Sequence, residues 1–329
     1  MLKAGIRVPP GFAVTTDSYL DFLRKAGLAE EILELLNRVD PAEVASVEDI
    51  GARIRRLIES APIPPEVEEM IKESYVSLCD RCGAREVPVA VRSSATAEDL
   101  PTASFAGQQD TYLWIKGPDQ VVQRVRQCWA SLFTPRSISY RIKNKFPHEK
   151  VLISVGVQKM VNSKVAGVMF TLDPVNGDPS KVVIEGSWGL GETVVSGSVT
   201  PDRFVVDKVT LEINERVISH KGIECVYDPD RGEVVHSEVA PDRSDLCCLE
   251  REEVMELTRV AKLIEGHYGL PQDIEWAIDR DLPFPDNVFI VQSRPETVWS
   301  QRRRESVLGR KSGYELLMER ALTPLKINF

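Results

Sequence analysis

The chain changes texture at Val151, and that change limits the folds open to it. Before Val151, apolar residues recur at helical spacing through successive segments; after it they gather in short β-rich runs separated by turns. No regular strand–helix–strand unit is visible, so an α+β fold with mainly antiparallel sheets is expected rather than a doubly wound parallel sheet. The 329 residues suffice for one large domain or two medium ones. The expected division is 1–150, a part rich in helices, then 151–300, a strand-rich part, and 301–329, a basic tail carrying Arg302, Arg303, Arg304, Arg310 and Lys311.

Before Val151, Asp17 is a plausible N-cap for a helix burying Tyr19, Leu20 and Leu23. Ala29–Val39 presents Ile32, Leu33 and Leu36. Ser46 is expected to cap a helix containing Ile50, Ile54, Leu57 and Ile58. Pro64-Pro65 opens another, with Val67, Met70, Ile71 and Leu78 on one face. Pro118–Phe133 is amphipathic through Val121, Val122, Val125, Trp129 and Leu132, and leads to Arg136 and Arg141. After Val151, the runs 151–161 and 164–171 are separated by Asn162-Ser163, which reads as a hairpin turn. Gly186–Glu192 is glycine-rich and follows a strand, but its spacing is not G-x-G-x-x-G, so a dinucleotide loop is rejected. Phe204–Val226 and Glu233–Val239 read as further antiparallel strands, and Arg251–Tyr268 as a helix.

Composition narrows the function. A formal charge of −9 argues against a general nucleic-acid binder. No apolar run approaches the about 20 residues needed to span a bilayer, and the N-terminus has no signal-peptide core, so a cytoplasmic protein with no membrane partner is expected. The six cysteines do not form a disulfide framework, and Cys79-x-x-Cys82 with Cys247-Cys248 lacks zinc-ligand spacing. The four histidines are scattered.

Two constellations carry chemistry. Val87–Arg92 alternates Val87, Val89 and Val91 on one face and delivers Arg92 from the other into a segment with Ser93, Ser94, Thr96, Glu98-Asp99 and Ser104–Gly107. A guanidinium among hydroxyls and small residues suits phosphate oxygens, although a surface arginine before a polar loop has the same pattern. The second is Gln272–Ile278, with Asp273, Glu275 and Ala277 on one strand face, a proline-bearing connection at Asp281–Asp286, and a returning strand Asn287–Gln292 followed by Arg294. Two carboxylates and a carboxamide on adjacent strands offer hard oxygen ligands for magnesium, and Arg294 offers charge for phosphates. A solvent-facing acidic strand beside a basic one is the alternative. Walker A and protein-kinase motifs are absent. A two-lobed α+β cleft around a magnesium nucleotide remains.

The stretches VPVAVRSSATAEDLPTASFAGQQDTYL, PRSISYRI, VQKMV, GLGETVVSG, DIEWAI and FIVQSRPETV follow one another in an order that resembles the N-terminal ATP-binding domain of the phosphoenolpyruvate synthase and pyruvate phosphate dikinase family, which has an ATP-grasp fold. DRDLPFPDNVFIVQSRPET is more similar to the synthase (pyruvate, water dikinase) branch. The resemblance implies ATP and Mg2+ as cofactors. It implies that Arg92, with Ser93 beside it, grips phosphates, with Arg136 or Arg141 assisting. Glu275 and Gln292 then hold magnesium with Asp273 nearby, and Arg294 lies on the phosphates. Gln158, Lys159, Met160 and Val161 form the hinge that reads the adenine edge. Relatives pass the β-phosphate of ATP to a histidine of a separate domain or subunit, releasing AMP and phosphate, and the acceptor, such as pyruvate, binds elsewhere.

Two departures stand beside the resemblance. The family's glycine-rich opening segment with its phosphate-binding lysine is not seen, Lys3 lying in the segment that follows it; a truncated or misassigned start, or weakened ATP binding, is expected. The phosphohistidine motif is not seen either, so a partner domain or subunit is expected. A related dikinase with another acceptor, as in phenylphosphate synthase, and a non-catalytic nucleotide-binding module are the alternatives.

Overall fold

Two antiparallel sheets, each with its own apolar core, face one another across a cavity. The computed structural model describes residues 1–95, 99–100, 103–104 and 110–299. In chain order the first part comprises β1 (Gly11–Val14), α1 (Thr16–Lys25), α2 (Leu28–Leu36), α3 (Val44–Ser60), α4 (Pro65–Cys82), β2 (Val89–Ala95), the two-residue strands β3 (Asp99–Leu100) and β4 (Ala103–Ser104), β5 (Thr111–Ile115), α5 (Pro118–Ser131), α6 (Pro135–Lys143) and β6 (Ile153–Lys159). There follow β7 (Ser163–Phe170), β8 (Lys181–Trp188), the short α7 (Glu192–Val195), β9 (Asp202–Asp207), β10 (Ile213–Val217), β11 (Ile223–Asp228), β12 (Glu233–Glu238), α8 (Arg251–Tyr268), β13 (Gln272–Asp279) and β14 (Val288–Pro295). The α+β expectation holds. Thr96, Glu98, residues 105–107 and the basic tail lie outside the described residues, as do the side chains of Asp99 and Ser104.

The first sheet has the order β1-β6-β2-β5 and carries the helices on one face. Val89, Val91, Val155 and Val157 point into that core, where Trp129 is fully buried and stacks on Phe22 with ring centroids 4.9 Å apart. The second sheet, β10-β9-β8-β7-β13-β14, packs Ile184, Trp276 and Ile278 against Val254, Leu257 and Ile264 of α8. Glu250 and Glu253 form a capping box that fixes the start of α8.

Several local expectations shift. Thr15, not Asp17, is the N-cap of α1, and Asp17 sits in its first turn, where a carboxylate favours the positive end of the helix. Glu43 precedes α3, while the Ser46 hydroxyl accepts from the Asp40 N–H and ties down the preceding turn. Leu20, Leu33 and Met70 are exposed, because each helix meets the core along a narrower stripe than its apolar residues suggest. β2 continues past Arg92 to Ala95, pairing along its length with β6.

The larger correction concerns Asn162-Ser163. Both edges of β6 are already paired, with β1 and β2, and both edges of β7 are paired with β8 and β13. No edge remains for β6 and β7 to form a hairpin, so residues 160–162 cross from one sheet to the other. The sheets therefore change over between Lys159 and Ser163 rather than at 150. A second crossing lies beside this one: Ile6 is buried in the second core, the Ile290 N–H donates to the Arg7 carbonyl, and the chain enters the first sheet at Gly11.

Trp129→Ala is expected to lower the unfolding free energy by about 3–5 kcal/mol, because the cavity it leaves is walled by helix and sheet that cannot collapse together. Urea denaturation followed by circular dichroism measures the loss.

Candidate functional site

Alternation along β2 sends Val89 and Val91 into the core and Ala90 and Arg92 to the opposite face. That face borders a cavity of about 600 Å³, whose other wall is formed by Ala166 and Gly167 of β7, Glu275 and Ala277 of β13, and Val291 of β14. Arg92 Nη2 donates to Glu275 Oε2 at 2.8 Å, with both side chains about one-quarter exposed. The two constellations seen in the sequence thus meet across the cavity.

The acidic hairpin owes its geometry to a bulge. Ala277 stands opposite Phe289 and Trp276 opposite Ile290, but Glu275 stands opposite Gln292 because Val291 is an extra residue. Simple alternation from Phe289 would turn Gln292 toward the core; the extra residue restores it to the face of Glu275. Asp273 stands opposite Arg294, whose Nε donates to its Oδ2 at 2.8 Å and whose Nη2 lies 2.7 Å from the same oxygen as an ion pair. Burial raises the Asp273 carboxyl above the usual range, Arg294 opposes that shift, and the nearby charges of Glu275 and Glu296 add to it. A second pocket of about 500 Å³ adjoins the first and is lined by Arg92, Ser93, Gln158 and Gln292. The Ser93 hydroxyl donates to the Asp110 carbonyl at 3.2 Å.

Gln158, Lys159, Met160 and Val161 line the other end of the cavity. The Lys159 N–H donates to the Pro10 carbonyl and the Met160 N–H to the Pro88 carbonyl, each at 2.8 Å. Both acceptors are prolines and have no N–H to return the bond. The carbonyls of Lys159 and Met160 therefore lack their ladder donors, at the point where the chain crosses between sheets. Beside them Leu113 and Leu190 supply apolar walls.

The family described as "Pyruvate phosphate dikinase, AMP/ATP-binding domain" matches residues 1–313. This chain belongs to that family. It is 52% identical to a probable phosphoenolpyruvate synthase of Staphylothermus marinus, over 95% of this chain and 40% of that protein. It is 44% identical to a phosphoenolpyruvate synthase of Aeropyrum pernix, over 93% of this chain and 40% of that one. For a probable phosphoenolpyruvate synthase of Methanocaldococcus jannaschii the identity is 46%, over 93% and 25%. The chain spans well under half the length of these relatives.

Among the described residues there is no group of three or more His, Cys, Asp or Glu side chains able to hold a metal ion. What the hairpin offers is one carboxylate, Glu275, with the carboxamide of Gln292 directly opposite, while Asp273 is engaged by Arg294. That set suits a hard cation that draws the rest of its shell from phosphate oxygens and water, as magnesium does.

Of the remaining expected residues, Arg136 lines the cavity and Arg141 does not. Arg141 is fully buried under α6, lies over the Phe133 ring, and donates through Nε to His148 Nδ1 at 3.0 Å. Its helix turns it toward the core, where burial lowers its pKa to about 10. The sequence reading also left out Leu190, Gly191 and Glu192, which reach the cavity from the glycine-rich turn after β8. The signal was that turn itself: its stretch GLGETVVSG carries part of the family resemblance, but no site role was drawn from it once the dinucleotide spacing failed.

His148 is held at about 4, from an ordinary value of 6.5, by burial and by the Arg141 charge. The unfolded chain therefore takes up a proton near pH 6.5 that the native state refuses, so this group subtracts stability as pH falls from about 6.5 to about 4. His148→Gln, which keeps an acceptor for Arg141, is expected to flatten that part of the pH dependence in urea titrations.

Proposed function

We propose that this chain is an ATP-grasp module that binds Mg-ATP between two lobes and serves a phosphoenolpyruvate synthase-like dikinase reaction. The observation that carries the reading is the meeting of Arg92 and Glu275 at 2.8 Å, in the same cavity as the crossing segment whose Lys159 and Met160 are paired with prolines. A phosphate-type guanidinium, a metal-type carboxylate and an edge-reading backbone line one cavity of about 600 Å³. In this reading the adenine sits between Leu113, Met160 and Leu190, and its exocyclic amine donates to a carbonyl of the crossing segment. The phosphates reach Arg92, Arg136 and Arg294, and Ser93 stands at the edge of that end.

When bound, magnesium would neutralise phosphate charge and fix the phosphate oxygens, held by Glu275 and Gln292 with Asp273 behind them. Arg92 exchanges its carboxylate partner for phosphate as the nucleotide enters. Phosphoryl transfer needs positioning and charge stabilisation more than covalent chemistry from the protein, and the arginines supply these. The reading continues that a histidine on another domain or subunit bonds to the β-phosphorus as the bond between the α- and β-phosphates breaks to release AMP, and that water cleaves the bond between the β- and γ-phosphates to release phosphate. Support for that partner comes from the relatives, each much longer than this chain. Pyruvate, or another acceptor, would bind there.

Incubated with a phosphohistidine partner and Mg-ATP, the chain is expected to yield AMP and phosphate in equal amounts by 31P NMR. ADP as the stable product would contradict the reading. Arg92→Ala and Glu275→Ala are each expected to reduce transfer by about 10²–10³-fold or more; near-normal rates in either would remove that residue from the site.

A further inference from the structure

The β11–β12 hairpin belongs to neither large sheet, and what it touches defines its role. At its base, Gly189 forms a parallel bridge with Cys225, and the Leu190 N–H donates to the Cys225 carbonyl at 2.7 Å. Gly189 has φ +77°, and a Cβ there would lie 2.3 Å from the Cys225 carbonyl oxygen, so the contact requires glycine. Higher up, Tyr227 stacks on Trp114 of β5, with ring centroids 4.3 Å apart and planes 14° from parallel. Lys116 Nζ lies over the same tyrosine ring at 4.9 Å.

Trp114 reaches this position by an unusual route. Val89 pairs with Ile115 and Val91 with Tyr112, so Leu113 and Trp114 together oppose the single residue Ala90. Trp114 is in the left-handed region at φ 56°, a conformation disfavoured for a large side chain. The extra residue lets β5 send Leu113 to the cavity wall while Trp114 meets the hairpin. Bulges serve to re-aim side chains in this way, and local strain of this kind is kept where surrounding contacts hold it. Between the stack and the cavity lies a small apolar cluster of Ala90, Met160, Leu190 and Cys225, with Leu113 and Trp114 against it. Four of those residues, Ala90, Met160, Leu190 and Leu113, also line the cavity.

We infer that Trp114 and Tyr227 are positioning residues: their stack clasps the hairpin to the edge of the first sheet and sets the width of the slot that takes the nucleotide base. The inference rests on the nucleotide reading above. The clasp acts at the base end and is remote in function from Arg92, so its loss weakens every adenine nucleotide by the same factor, whatever its phosphate count. Loss of Arg92 weakens ATP far more than AMP.

Calorimetry of the full chain with Mg-ATP and with AMP separates the cases. Tyr227→Ala is expected to raise both dissociation constants about tenfold, the scale of an aromatic pair, and Tyr227→Phe to stay within about twofold of the unaltered chain. Trp114→Phe, which keeps a ring in the stack, is the second variant and is also expected within about twofold. Unchanged affinities in Tyr227→Ala, or weakening of ATP without AMP, would overturn the clasp, as would a loss in Tyr227→Phe equal to that in Tyr227→Ala. Amide hydrogen exchange without nucleotide adds an independent reading: faster exchange confined to residues 223–238 and 189–191 in Tyr227→Ala is expected, and unchanged exchange there would overturn the clasp. If the unaltered chain binds neither nucleotide, the nucleotide reading itself fails, whatever the exchange shows.

Discussion

The Arg92–Glu275 ion pair joins residues 183 positions apart and sits where the two sheets face each other. Each partner stands on a strand whose opposite face is committed to a separate core, so neither can turn away without unpacking its own sheet. The pair is half-buried, and removing one partner would strand the other charge; the penalty for that exceeds what the intact pair contributes. The two sheets are joined besides by the chain crossings at residues 160–162 and between Ile6 and Gly11. This pair makes their apposition charge-specific, and places a cation and an anion where an incoming polyanion with its metal can exchange with them.

The other end of the cavity depends on what the backbone lacks. Pro10 and Pro88 accept hydrogen bonds from the end of β6 and return none, so the ladder is incomplete where Lys159 and Met160 line the cavity. An ordinary residue at either position would add a donor and close the ladder. Bulges do comparable work in two other places, turning Gln292 toward Glu275 and freeing Trp114 from the face of Leu113. Regular strands would build the same sheets without bringing these side chains to the cavity.

Much of this was legible in residue order. The α+β class followed from the segregation of helical and strand-like texture, and the alternation around Val89 and Val91 correctly put Arg92 on the face away from the core. The spacing of Asp273, Glu275 and Ala277 gave their shared face. What escaped was information carried by pairing partners. Asn162-Ser163 has the composition of a hairpin turn, yet both neighbouring strands have their edges occupied, which only the sheet order reveals. Arg141 lies close to Arg136 in sequence, but helical rotation sends one to the core and the other to the cavity. The Gln292 register depends on an extra residue that alternation cannot predict, and the glycine-rich turn after β8 reaches the cavity through its contact with Cys225, far along the chain.

The central claim is that Arg92 and Glu275 hold each other's place for phosphate and metal. A crystal structure of this chain with Mg2+ and a non-hydrolysable ATP analogue tests it most directly. The account predicts Arg92 on the phosphates, metal on Glu275 and Gln292, and the base against Met160 and Leu190. An analogue bound elsewhere, or bound in the cavity with the Arg92–Glu275 pair still closed, would contradict it.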